Sequence, residues 1–173
     1  MYFTNKNGER FDKTSNYFFM KNPMKNVDLP LKIKLDYNKT HQKIIGFGGA
    51  FTDSAGINFE KMRPKLKENL VKDYYGSEGL MYTMGRIPVG GTDFSVKGYS
   101  YDDTPNDESL NNFKLQEADT KYKIPFIHKA KTEAGNLKLV SSLWSPPAWM
   151  KDNDNLIHGG NIIGEPGEKY YKL

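Results

Sequence analysis

Three stretches of this chain bring chemically capable side chains together just where an apolar run gives way to glycine or proline. They are "GFGGAFTD", "RIPVGGTDFS" and "LWSPPAWM", and together they offer Asp53, Arg86, Asp93, Phe94, Trp144 and Trp149. Carboxylates in the company of tryptophan suit a sugar. A carboxylate accepts paired hydrogen bonds from neighbouring hydroxyls, and an indole supplies an apolar face with one N–H donor. Each residue also has a structural alternative. Asp53 serves equally well as a helix cap, and Arg86 as a neutraliser of a nearby carboxylate. Asp93 could close an Asx-turn, and Trp149 could pack its loop against the fold. Trp144, at the end of an apolar run, is the strongest site candidate.

The elements that must position these residues follow from the pattern around them. From residue 43, "KIIGFGGAFTDS" reads as an apolar strand running into glycines, with Thr52, Asp53 and Ser54 as cap candidates for a short helix. In "MRPKLKENLVKDYYG", Pro64 suits a first helical turn, Leu66, Leu70 and Tyr74 form an i, i+4, i+8 stripe, and Gly76 is a stop. "LMYTMGRIPVGG" is a second strand, and residues 92–123 have loop chemistry throughout. "IPFIHKAKTEAG" predicts a helix with Phe126, Ile127, Ala130 and Ala134 on one side, and a packed or capping His128. "LKLVSSLW" predicts a buried third strand, and "EKYYKL" the start of another helix. Residues 43–173 thus read β-α-β-α-β-(α), an order that predicts parallel strands with right-handed crossovers. Both a doubly wound sheet and a (β/α)8 barrel fit. In either, sites form at the carboxyl ends of strands, where the three stretches lie. A barrel needs about 250 residues, so the chain reads as the N-terminal piece of something longer. Residues 1–42 look like β-structure, with "LPLKIKLDY" alternating Leu31, Ile33 and Leu35 against polar neighbours and "NYFFM" as a second strand.

Composition narrows the classes. The 173 residues are 37% hydrophobic and 13% aromatic, as in a globular chain. No run approaches the ~20 apolar residues of a membrane helix, and the first residues lack a signal-peptide core. Zero cysteines leave no disulfide or thiolate metal site. The net charge of +4 lies wholly in residues 1–42, with eight Lys/Arg against four Asp/Glu. That surplus reads as a lysine-guarded strand edge. No basic run interleaved with aromatics supports nucleic-acid binding. "GFGG" lacks dinucleotide spacing, no phosphate-binding loop or nucleophile elbow occurs, and His41, His128 and His158 lack metal-ligand spacing. No cofactor and no metal is expected. Asn38-Lys39-Thr40 is a glycosylation sequon.

At its three strand ends the sequence resembles the glucosylceramidases, the lysosomal acid β-glucosidases of glycoside hydrolase family 30. The resemblance is carried by "QKIIGFGGAFTDSAGIN", by the long block from "GRIPVGGTDFS" to "IPFIHKA", and by "SLWSPPAWMK", in order and with nearly ungapped spacing. It implies an incomplete (β/α)8 TIM barrel, about its first three βα units, over residues 43–173, preceded at 1–42 by strands of an accessory β-sandwich. It also implies a retaining glycosidase that removes glucose from glucosylceramide, a lysosomal location, and partners such as an anionic membrane surface and a lipid-presenting activator protein. By the resemblance, Asp93 and Trp144 bind glucose hydroxyls. Arg86 lies beside the nucleophile, with Phe94 and Trp149 in support.

Departures from the family pattern shape the expectation. Retaining chemistry needs two carboxyl groups about 5 Å apart, glutamates after the fourth and seventh barrel strands in the family. The acid/base sits in Asn-Glu-Pro, which does not occur here; Glu165-Pro166 follows glycine and is not that acid. Both glutamates are expected beyond Leu173, so no catalytic residue is assigned within the chain. The chain alone is expected to be inactive and poorly soluble. Residue 92 is threonine where the human-type enzyme has cysteine. The alternatives are a family 30 glycosidase acting on another β-glycan, a non-catalytic sugar- or lipid-binding remnant, and a basic interaction module in residues 1–42.

Overall fold

A computed structural model describes residues 2–13 and 34–172. The chain divides into two compact units, residues 1–43 and 44–173. In the first, β1 (Tyr2–Phe3) pairs antiparallel with β2 (Asp12–Lys13). The rings of Tyr2 and Phe11 meet at 4.6 Å. Among the described residues this unit forms only that ribbon and no sandwich. The "NYFFM" strand and residues 29–33 of "LPLKIKLDY" lie outside the described residues. Leu35 belongs to no strand and is 68% exposed, contrary to the half-buried strand predicted there. Asn38 lies in an exposed turn, its N–H donating to the Asp36 carboxylate at 3.1 Å.

The second unit is a parallel sheet with helices on one face. β3 (Gly48–Ala50), β4 (Met84–Val89) and β5 (Lys138–Leu143) lie in that order, all parallel. There is no closed barrel among the described residues. β3 is shorter than predicted, and Ile44, Ile45 and Phe47 before it are well exposed. The register pairs Arg86 with Val140, Pro88 with Ser142, and Ile87 with Ser141. Alternation therefore sets Arg86, Ser142 and the following Trp144 on one face, while Gly85 and Ile87 take the other.

That other face receives the helices. α1 (Asp53–Lys61) begins at Thr52, whose hydroxyl accepts the Ala55 N–H at 3.0 Å. α2 (Pro64–Tyr75) starts with proline at its first position, which needs no N–H donor there. Its buried residues are Val71 and Tyr75, and Leu66 is 48% exposed. The stripe predicted from Leu66, Leu70 and Tyr74 is thus rotated by one residue. Tyr75 of the buried side stacks on Phe51 at 5.9 Å, and Leu70 and Tyr74 pack partly buried against the same cluster. α3 (Ile124–Ala134) buries Phe126, Ile127 and Ala130, as its periodicity predicts, but His128 is exposed rather than packed.

Phe126 stacks on Phe59 at 4.4 Å and meets Phe51 edge-on at 5.3 Å. Each such ring contributes about 1.5–3 kcal/mol through burial. Gly85 makes this possible, since a Cβ there would lie 2.3 Å from the Phe51 ring.

Three further expectations are corrected. The last six residues of the 92–123 segment form a π-helix, Ala118–Lys123, that runs directly into α3. β5 is exposed rather than buried, with Val140 at 52% and Leu143 at 54%, because among the described residues β4 is its one strand neighbour and nothing covers these side chains. "EKYYKL" gives one 3-10 turn, Lys169–Tyr171.

Candidate functional site

The carboxyl end of β4 is held by a buried ion pair. Lys123 and Asp119 stand one helical turn apart in the π-helix, each 1% exposed, with Nζ and Oδ1 at 2.6 Å. Lys123 Nζ also donates to the carbonyls of Pro88 and Gly90 at 3.1 and 3.3 Å. Asp119 Oδ1 accepts from the hydroxyls of Tyr99 and Tyr101 at 3.2 and 2.8 Å, and Oδ2 from the Gln116 N–H at 3.1 Å. Full satisfaction is what lets such a pair persist out of water. Gly90 adopts φ +83°, and a Cβ there would stand 2.9 Å from the Tyr99 carbonyl, so only glycine fits the turn out of the strand.

The tyrosines of this cluster ionise late. Burial and then the Asp119 charge push Tyr99 up, and burial with the Asp119 hydrogen bond pushes Tyr101 up to about 12. Unfolded tyrosine loses its proton near pH ~10. The folded state therefore holds protons that the unfolded state has lost. The stabilisation is full below pH ~10 and is lost as pH rises through the folded value. Denaturation midpoints are expected to fall over that window, and Tyr101→Phe to make the fall shallower. An unchanged slope in the variant would remove Tyr101 from the account.

Beyond Gly90 the chain makes the turn that carries Asp93. The Ser95 N–H donates to the Thr92 carbonyl at 3.0 Å and closes the turn through the backbone. Asp93 is therefore not spent on an Asx-turn. Its Oδ1 accepts the Trp144 Nε1 proton at 3.1 Å, across 51 residues of sequence. Arg86 lies on the indole, its guanidinium carbon 5.0 Å from the ring centroid, and Nη2 donates to Ser142 Oγ at 3.3 Å. It stacks rather than forming an ion pair with a carboxylate, a contact worth about 0.5–1 kcal/mol at an exposed site.

Arg86 from the middle of β4, Trp144 just past β5 and Asp93 in the turn beyond β4 are thus brought together. Asp93 and Trp144 line a cavity of about 350 Å³ with Ser145, Lys151 and Ile157. The second Asp93 oxygen and the indole face remain available to a ligand with hydroxyls and C–H surface. Asp93 is the one carboxylate among the residues lining the cavity.

The other candidates stand apart from that trio. Phe94, next to Asp93, is 86% exposed. Trp149 is 7% exposed, donates from Nε1 to the Asp102 carbonyl at 2.9 Å, and meets Tyr170 edge-on at 5.8 Å. It fastens the outgoing loop. Asp53 is not the cap of α1, which is Thr52; it is 2% exposed and accepts from Ser95 Oγ at 2.7 Å. Glu165 sits in an exposed turn, its N–H donating to the Glu168 carboxylate at 2.9 Å. Among the described residues no cluster of His, Asp or Glu could hold a metal ion.

Sequence reasoning missed Lys123, Asp119, Ser95 and Lys151. Lys151 is 5% exposed, with Nζ 3.4 Å from both Ser145 Oγ and the Leu156 carbonyl. The i, i+4 spacing of Asp119 and Lys123 was the one available signal.

A parallel α/β unit here joins a carboxylate and an indole beyond the carboxyl ends of its strands, where sites of such folds form. Comparison with known proteins supplies the class. Residues 44–173 match the glycosyl hydrolase family 30 TIM-barrel domain, and the chain belongs to that family of glycoside hydrolases. It is 38% identical over 173 residues to putative glucosylceramidase 4 of Caenorhabditis elegans, covering 99% of this chain and 32% of that protein. Against lysosomal acid glucosylceramidase of Mus musculus it is 39% identical over 143 residues, 82% of this chain and 28% of the relative. Against endo-1,6-beta-D-glucanase neg1 of Aspergillus fumigatus it is 30% identical over 142 residues, 75% of this chain and 29% of the relative. The crystal structure of SrfJ from Salmonella typhimurium superposes with a TM-score of 0.68 at 35% identity, covering 75% of this chain and 29% of that one. The chain therefore spans about a third of the length of the curated relatives it matches.

Proposed function

We propose that the chain forms one wall of the glucose subsite of a retaining β-glucosidase that splits glucosylceramide into glucose and ceramide. The observation that carries this reading is the Trp144–Asp93 hydrogen bond at the mouth of the cavity, with Arg86 stacked on the indole. Asp93 and Trp144 bind the glucose hydroxyls, and Arg86 lies beside the nucleophile. The acid/base and nucleophile, two carboxyl groups about 5 Å apart, belong to residues outside this sequence. In the whole enzyme the acid protonates the glycosidic oxygen, and the nucleophile forms a glucosyl intermediate that water then releases. Residues 1–42 are assigned to an accessory β-sandwich and 43–173 to the barrel.

The glucosylceramide assignment rests on relatives named glucosylceramidase, and a lysosomal location on the Mus musculus relative. An anionic membrane surface suits the surplus of four cations in residues 1–42. A lipid-presenting activator protein is implied by the resemblance alone.

A second reading, a glycosidase of β-1,6-glucan, is favoured by the relative named for that activity. The wall contacts glucose and not what it is joined to, so both substrates use it alike. Assay of the full-length protein on glucosylceramide and on β-1,6-glucan decides between them. Glucose release from the lipid alone is the expected result, and cleavage of the glucan alone would overturn it. Turnover by the purified 173-residue chain, abolished by replacing one of its own carboxylates, would overturn the placing of the reactive pair.

A further inference from the structure

We infer that the Thr52-Asp53-Ser54 segment at the start of α1 positions the sugar-binding carboxylate of Asp93, with Ser95 as the connecting residue. The inference rests on the proposed glucose subsite and adds to it residues that act through Asp93, of which Ser95 also lines the cavity.

The geometry is a grip on both sides of a four-residue turn. Thr92 and Ser95 are joined twice: Ser95 N–H to the Thr92 carbonyl at 3.0 Å, and Thr92 N–H to Ser95 Oγ at 2.8 Å. Asp93 and Phe94 are the two residues enclosed. The Ser95 hydroxyl spends its own proton on Asp53 Oδ1 at 2.7 Å. Ser54 Oγ donates to the Phe94 carbonyl. The first turn of α1 thus holds the turn at Ser95 and again at Phe94. That helix turn is itself rigid, since Thr52 caps it and Asp53 is 2% exposed beneath the loop.

The chemistry of each residue fits the task. Asp53 is an acceptor at a helix N-terminus, where the exposed N–H groups favour negative charge. A hydroxyl such as that of Ser95 can accept from the Thr92 N–H while donating its own proton to a carboxylate. The Asp93 carboxylate is exposed and, among the described residues, makes one hydrogen bond, to Trp144. Its direction is therefore set mainly by its backbone, and the backbone is set by Ser95 and Ser54. A positioning error of about 1 Å at such a group is enough to cost a large factor in rate.

The test is a double-mutant cycle in the full-length protein, read as hydrolysis of 4-nitrophenyl β-D-glucopyranoside. Ser95→Ala is expected to lower kcat/KM about three- to tenfold, chiefly through KM, and to lower the thermal midpoint as well, because the buried Asp53 carboxylate loses a donor. Ser95→Thr, which keeps the hydroxyl, is expected to restore most of it. In an Asp93→Asn background, Ser95→Ala is expected to add no further loss, because the residue works through Asp93. Ser54→Ala supplies a second cycle if Ser95→Ala folds poorly. Losses that multiply fully in the double variants, or kinetics unchanged in both serine variants, would overturn the inference while leaving the subsite standing. If Asp93→Asn itself is without effect, or the parent protein hydrolyses no β-glucoside, the subsite falls and the inference with it.

Discussion

Lys123→Met is expected to destabilise the fold by about 3–5 kcal/mol, a large part of the ~5–15 kcal/mol that holds a domain together. Methionine fills the same volume but leaves Asp119 charged, 1% exposed and without a cation. Two tyrosine hydroxyls and one backbone N–H remain as its donors. The carbonyls of Pro88 and Gly90 lose a donor in the same step. The measurement is the denaturant midpoint of the full-length protein with and without the substitution. Removing both charges, in Lys123→Met with Asp119→Leu, is expected to recover part of the loss, since no uncompensated ion stays buried. A single-variant loss below about 1 kcal/mol would show that water reaches Asp119, contrary to its burial. Because Gly90 leads into the Asp93 turn, sugar affinity is expected to fall along with stability.

Asp93→Ala is expected to lower kcat/KM of the full-length protein on a β-glucoside by about 10²- to 10³-fold. A carboxylate hydrogen bond contributes about 1.5–3 kcal/mol, and a carboxylate placed to take two hydroxyls loses both at once. Trp144→Phe is expected to cost less, about tenfold. The apolar ring face survives, but the N–H that fixes Asp93 at 3.1 Å is gone. A variant with Asp93 replaced and kcat/KM intact would remove the carboxylate from the sugar site. The pair also discriminates between roles, because a merely structural Asp93 would show its loss in the denaturation midpoint and not in KM.

What could be read from the sequence had local causes. The strands at "RIPV" and "LVSSL" follow from apolar runs broken by glycine and proline, and parallel pairing follows from their order. Placing Trp144 at a strand end required nothing more, whereas Arg86, expected at a strand end, lies in the middle of β4. Pro64, Gly76 and the apolar face of α3 are equally local. The features that escaped depend on contacts distant in the chain. Leu66 looks as core-like as Val71 until Phe51 and Phe126 decide which face of α2 is covered. A lysine in a polar stretch looks solvated, yet Lys123 is buried because Asp119, Tyr99 and two strand-end carbonyls converge on it. Ser95 is one polar loop residue among many until α1 is laid beside it. The buried character expected of β5 failed for a different reason: hydrophobicity in a strand predicts that a face needs covering, and not what covers it.

That edge has a bearing on how the site comes to be stiff. β5 carries Ser142, which accepts from Arg86, and leads into Trp144, which holds Asp93. Its outer N–H and C=O groups are open to a further parallel neighbour. A strand docking there would zip the ladder and, in the same movement, lock the peptide that aims the serine and the indole. Sheet growth and the ordering of the Arg86, Trp144 and Asp93 cluster are then expected to be coupled, so a chain that misassembles at this seam is expected to lose that cluster's geometry before it loses its core.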